Sequence, residues 1–248
     1  MASLDAGDTV EPDQAMNGKL YGVGLGPGDP ELMTLKAARL IGAADVVAYP
    51  SLEGGASFAR AIAAGVIPDG VEEISISIPM SVKREPAQVA YDAGAAELAA
   101  SLRAGKTVVV LCEGDPFFYG SFMYLFSRLS DEFEVEVVPG VTSVTACAAA
   151  LRAPLTARNE VLTIIPGPME ETAMEQRIAA AQAVAVMKVG RHLPKIRRVL
   201  DRLGLMEHAG YVERATLPEQ KAMPLERAPE TAPYFSMILV TKGEDPWL

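Results

Sequence analysis

The chain has 248 residues, half of them hydrophobic, with 32 acidic against 22 basic side chains and a net charge of −10. That length holds one large domain or two modest ones, and the acidic balance argues against general nucleic-acid binding, which needs basic surface. No apolar run approaches the roughly 18 residues of a membrane span, the acidic stretch 1–18 reads as a disordered leader rather than a targeting signal, and two histidines with two isolated cysteines offer no metal-ligand spacing, so a cytoplasmic protein without a metal is expected.

The first element is an apolar strand at 20–25, which passes through Gly22, Gly24, Gly26 and Gly28 into a helical pattern. The dinucleotide fingerprint GxGxxG fails there. Counted from Gly22 its third glycine position holds Pro27, and counted from Gly24 it holds Asp29. Asp29 suits a helix N-cap with Pro30 at the first helical position. Such a turn supplies its own negative charge and does not want a phosphate. Glycines at that density suggest close approach of the backbone by something.

Strands follow at 45–49 and 73–78, then a helix at 87–103. The string "ASLRAGKT" ends like a phosphate loop, but Ala100 stands where the first glycine belongs, and the helix precedes the strand. Gly105 therefore reads as a plain helix C-cap. A strand at 107–112 leads into Glu113-Gly114-Asp115-Pro116, and one at 134–138 leads into Pro139-Gly140 with Thr142 and Ser143 opening a helix. A second series of strands runs at 161–165, 184–189, 210–213 and 235–241. Within it lie an amphipathic helix at 192–203 and a proline-punctuated loop or irregular hairpin at 218–233. Cys112 and Cys147, each inside an apolar run, read as buried thiols.

This alternation predicts an α/β fold with mainly parallel sheet, divided into two α/β domains at 19–138 and 139–248 with a cleft between them. Strand-to-helix turns lie at the C-terminal edge of a parallel sheet, where ligands of such folds collect. The turns at 26–30, 113–116 and 139–143 should therefore converge. They offer amides, hydroxyls and carboxylates but few positive charges. That set suits a neutral or cationic ligand, such as an amino-acid-bearing nucleoside with a sulfonium, better than a polyphosphate.

The strings "YGVGLGPGDPELMTLKA", "EGDPFFYGSFMYL", "PGVTS" and "AVMKVGRHLPKI" resemble the tetrapyrrole methylases, the class III S-adenosylmethionine-dependent methyltransferases, over residues 19–241. The resemblance implies a homodimer that uses S-adenosylmethionine as methyl donor and requires no metal. It points to the members that methylate carbon 20 of precorrin-2 in cobalamin biosynthesis. Members acting on the cobalt form or on uroporphyrinogen III stand as alternatives. A nucleotide-binding oxidoreductase and a non-catalytic carrier are the rivals of other classes, the first disfavoured by the failed fingerprint.

Residue by residue, the resemblance implies cofactor contacts at Pro27, Glu113, Gly114, Asp115, Phe118, Thr142 and Ser143, with Met187 beside the adenine and backbone from Gly210 or Tyr211. The reaction is a displacement at the sulfonium methyl, for which alignment is the main requirement. Asp115 is the nearest acid to take the proton that the methylated carbon must lose. The substrate is ringed by carboxylates, so local basic groups are needed in an acidic protein. Candidates are Lys83 and Arg84 in the loop after strand 73–78, then Arg152 and Arg158, with Tyr119 placed to hydrogen-bond the macrocycle edge.

Overall fold

The computed structural model describes residues 17–52, 55–79 and 85–243. Most of the leader, together with Lys83 and Arg84, lies outside the described residues.

Five strands form the first sheet: β1 (Lys19–Gly24), β2 (Val46–Leu52), β3 (Glu72–Ile78), β4 (Val108–Cys112) and β5 (Glu134–Val138). Their order is β3-β2-β4-β1-β5, and every pair is parallel. Side chains alternate between two cores, as the period of a strand requires. Val108, Val110 and Cys112 pack with α3 (Glu85–Arg103) and α4 (Phe122–Leu129). Val109 and Leu111 pack on the other face with α1 (Leu35–Ile41) and α2 (Phe58–Ala63). Being covered on both faces, β4 is buried at all five positions, which is why it reads as one continuous apolar run.

The second sheet is built differently. Its strands are β6 (Leu162–Pro166), β7 (Ala183–Met187), β8 (Ala209–Glu213), β9 (Lys221–Pro224) and β10 (Ser236–Thr241), in the order β6-β7-β10-β8-β9. Only β6 and β7 pair in parallel. The strand β10 runs antiparallel to both β7 and β8, and β9 pairs antiparallel with β8. The expectation of mainly parallel sheet therefore holds for the first sheet and fails for the second. The short edge strand β9 lies inside the stretch read as a loop or hairpin. One face carries α6 (Glu171–Ala180) and α7 (Leu193–Arg202), which buries Leu193, Ile196, Val199 and Leu200. The other face carries α5 (Ser143–Leu151).

Asp29 does cap, but what it caps is a single 3-10 turn, Pro30–Leu32, whose Glu31 amide it accepts at 2.9 Å. The helix α1 begins after it, with the Thr34 hydroxyl accepting from the Ala37 amide at 3.0 Å. Both cysteines are buried and free.

Candidate functional site at the meeting of three turns

The three turns do converge, and they touch backbone to backbone. Gly26 and Gly114 form an isolated antiparallel bridge, with Gly114 N–H donating to Gly26 O at 2.7 Å and Gly26 N–H to Gly114 O at 3.2 Å. A Cβ on Gly140 would lie 2.0 Å from Gly114 O, and one on Gly24 would lie 2.6 Å from Gly140 N. Those glycines are explained first by one another. The close approach expected from the sequence is that of the other two turns.

Asp115 closes the arrangement. Its Oδ1 accepts from the Phe117 amide at 2.9 Å, and its Oδ2 accepts from the Gly140 amide at 3.0 Å. Each carboxylate oxygen thus holds loop backbone, one of them across to the third turn. Asp115, expected as the proton acceptor, is thus held as a clamp between the second and third turns.

Glu113 stands in a different environment. Burial pushes its carboxyl above the usual range, with partial relief from the amides of Glu113 itself and Ala59. Among the described residues it forms no salt bridge. A desolvated carboxylate of this kind gains from any cation brought beside it.

Between the sheets lies a cavity of about 60 Å³, lined by Pro27 and Phe58 from the first sheet's side and by Ser143, Cys147, Val212, Arg214 and Phe235 among others from the second. Burial pushes the Cys147 thiol up to about 12, so it lines the cavity as an inert wall. Met187 and Phe118 join Cys147, Val212, Ala215 and Met237 in one apolar cluster. Two contacts tie the halves together here: the Asp29 amide donates to Thr216 Oγ1 at 3.0 Å, and the Phe58 and Phe235 rings pack with centroids 4.9 Å apart.

Pro27, Glu113, Gly114, Phe118, Thr142, Ser143 and Met187 are thus gathered around the turns or the cluster behind them. Gly210 and Tyr211 are not. Gly210 packs under Leu151, and the Tyr211 side chain is wholly buried on the opposite sheet face, donating to Glu213 at 2.6 Å. Val212, flanked by Tyr211 and Glu213 of the opposite face, is the β8 residue that lines the cavity. Arg152 caps the far end of α5, about 13 Å along the helix from Ser143 at 1.5 Å per residue. Arg158 is exposed beyond it. Phe58, Arg214 and Phe235 carry no motif in the sequence.

A second cavity of about 420 Å³ lies between the end of α5 and strands β8, β9 and β10. Gly210 alone among the expected site residues lines it. The described residues contain no group of three or more His, Cys, Asp or Glu able to hold a metal, and no helix long and apolar enough to cross a membrane.

Comparison with known proteins identifies the family and the fold. Residues 19–228 match the family Tetrapyrrole (Corrin/Porphyrin) Methylases. A precorrin-2 C(20)-methyltransferase from Sinorhizobium sp is 43% identical over 237 residues, covering 92% of this chain and 97% of its own. A cobalt-precorrin-2 C(20)-methyltransferase from Salmonella typhimurium is 34% identical, covering 92% and 98%. The crystal structure of uroporphyrin-III C-methyl transferase from Thermus thermophilus complexed with S-adenyl homocysteine superposes with a TM-score of 0.65 at 29% identity, covering 90% of this chain and 97% of that one. With the family match spanning the first sheet, all three turns and four of the five strands of the second sheet, the chain belongs to the tetrapyrrole methylases.

Proposed function

We propose that the protein transfers the methyl group of S-adenosylmethionine to carbon 20 of precorrin-2, giving precorrin-3A in cobalamin biosynthesis. The observation that carries this is the 43% identity to a protein of that activity across 92% of the chain. The relative named for the cobalt form is less similar, at 34%, which favours the metal-free substrate.

The site fits the donor on its own chemistry. The partly buried Glu113 carboxyl, raised by desolvation, matches a ligand bearing a sulfonium and an ammonium. The apolar cluster of Met187, Val212 and Met237 matches a flat purine. We place the cofactor contacts at Pro27, Glu113, Gly114, Phe118, Thr142, Ser143, Met187 and Val212. The cavity of about 60 Å³ is well below the roughly 300 Å³ at which ligand pockets begin, so binding must part the Phe58–Phe235 pair. When bound, S-adenosylmethionine supplies a methyl group already activated on sulfur. The three turns then hold the reacting atoms in line and exclude water, while Asp115 keeps turns two and three in register. Glu113, its carboxyl raised by desolvation, is the carboxyl better suited to accept the proton that carbon 20 releases.

The domain division at 138/139, the homodimer and a cytoplasmic location belong to the same reading. The first is supported by the two separate sheets. The second is supported by the family resemblance and by exposed Phe117, Met123 and Tyr124 around the start of α4. The test is incubation with labelled S-adenosylmethionine and, separately, precorrin-2, cobalt-precorrin-2 and uroporphyrinogen III. The expected result is label on carbon 20 of precorrin-2. Label at another position, or on uroporphyrinogen III in preference, contradicts the reading.

A further inference from the structure

Four non-glycine residues with left-handed backbone gather where the two sheets face each other: Tyr119 (φ 56°), Lys188 (φ 56°), Arg214 (φ 50°) and Thr216 (φ 69°). Such conformations are unfavourable for residues with a Cβ, and they persist where the surroundings hold them. Lys188 is the most informative. It sits between Met187 and Val189, 8% and 0% exposed, and its carbonyl is pressed against Gly167, where a Cβ would lie 2.5 Å away. The Gly167 amide donates to the neighbouring Met187 carbonyl at 2.6 Å. The turn after β7 is thereby fixed, and glycine would suit position 188 best on backbone grounds.

The lysine side chain that stands there is exposed and crosses to the other half of the molecule. Its ammonium lies 5.4 Å from the centroid of the Tyr119 ring. Among the described residues it has no carboxylate within ion-pair distance, whereas Lys19, Lys36, Lys106 and Lys221 each have one. In a chain of net charge −10, Lys188 brings an unneutralised cation to the rim of the cluster around Met187. A polyanionic substrate requires such local positive charge.

We propose that Lys188 binds a peripheral carboxylate of the tetrapyrrole, and that the Tyr119 ring is the partner it leaves when substrate arrives. The proposal rests on the methylase reading for the identity of the substrate. A weak cation–π contact keeps the ammonium aimed at the cleft mouth without neutralising it. A carboxylate then replaces the ring as the stronger partner.

Two readouts test this. The first is equilibrium binding of uroporphyrin III, an octacarboxylate probe, followed by its fluorescence, which does not depend on turnover. The second is steady-state methylation of precorrin-2. Lys188→Gln is expected to weaken probe binding and raise the KM for precorrin-2 about tenfold, corresponding to about 1.4 kcal/mol, with kcat and S-adenosylhomocysteine affinity within about twofold of wild type. Lys188→Arg should recover most of the loss. Lys188→Gly should show the same loss with a Tm no lower than wild type, which separates a binding role from a folding role. Unchanged probe affinity in Lys188→Gln, no probe binding by wild type, or a loss confined to S-adenosylhomocysteine each overturn the inference. Probe binding that depends on Lys188, in a protein that methylates none of the three tetrapyrroles, would retain the inference and refute the functional reading.

Discussion

The two sheets meet edge to edge, yet they reach that meeting by different routes. In the first, every strand runs the same way, so each strand-to-helix turn arrives at one edge, and the sequence marks those turns with glycine and acid. In the second, β10 runs against β7 and β8, so the facing edge mixes strand ends with strand starts, among them Met187 and Glu213 as ends and Ser236 as a start. Nothing local in the sequence says that those three are neighbours. A parallel edge is built of repeated local signals, whereas a mixed edge is built of long-range pairing.

The sharpest way to break this contrast is at the glycines. Gly140→Ala drives a Cβ to 2.0 Å from Gly114 O, where only backbone can yield. It should cost about 3 kcal/mol or more of stability, read as the urea midpoint, and should abolish cofactor binding. Gly65→Ala, with nothing within 4 Å of its Cβ, should change neither.

Two desolvated acids, one wholly and one partly buried, carry opposite signs. On the second sheet Glu213 is 3% exposed. Burial opposes its charge, but Lys221 at 2.8 Å and the Tyr211 hydroxyl at 2.6 Å hold its carboxyl below the usual range. Its ionised form therefore stabilises the fold above the unfolded-state carboxyl range, and this is lost as pH falls through the depressed folded value. Glu213→Ala should destabilise by about 1–3 kcal/mol, because the Tyr211 hydroxyl then loses its partner. At the first sheet's edge Glu113 has its folded carboxyl raised by burial. The folded state holds that proton more tightly, so stability falls as pH rises through the interval between the unfolded and the raised folded values. Glu113→Gln should consequently raise the Tm at neutral pH while reducing methyl transfer. A lower Tm would show that ionised Glu113 is stabilising, and would remove the ground for seating a cation beside it.

A smaller effect is expected at the ring pair that joins the halves. Phe235→Ala removes a contact worth about 0.5–1.5 kcal/mol and should speed cofactor association by leaving less to displace, measured by stopped flow. Smallest of all, Arg198→Ala breaks an exposed pair with Glu171 at 2.9 Å and should shift stability by no more than about 0.5 kcal/mol.

The sequence made the first half legible for a physical reason. The glycine turn, "EGDP" and "PGVTS" each declare a strand end and a following cap within a few residues. The place of Ser143 and of the buried cysteines followed directly. What escaped was non-local. The clamp made by Asp115 was not legible, because its Gly140 partner is 25 residues on. That the Val212 side chain is the one from β8 that lines the cavity was hidden too, since the facing of β8 is decided by packing against α5 and α7. The edge strand β9 was hidden by its prolines, and Lys188 was hidden inside an apolar string whose only mark is a backbone conformation.

The account turns on which cavity takes the cofactor. A crystal structure with S-adenosylhomocysteine decides it. The account predicts the ligand against Pro27, Ser143 and Val212, with the Phe58 and Phe235 rings moved apart from their 4.9 Å contact. Ligand in the larger groove of about 420 Å³ beside Leu151 and Met223, with the three turns bare, would contradict it.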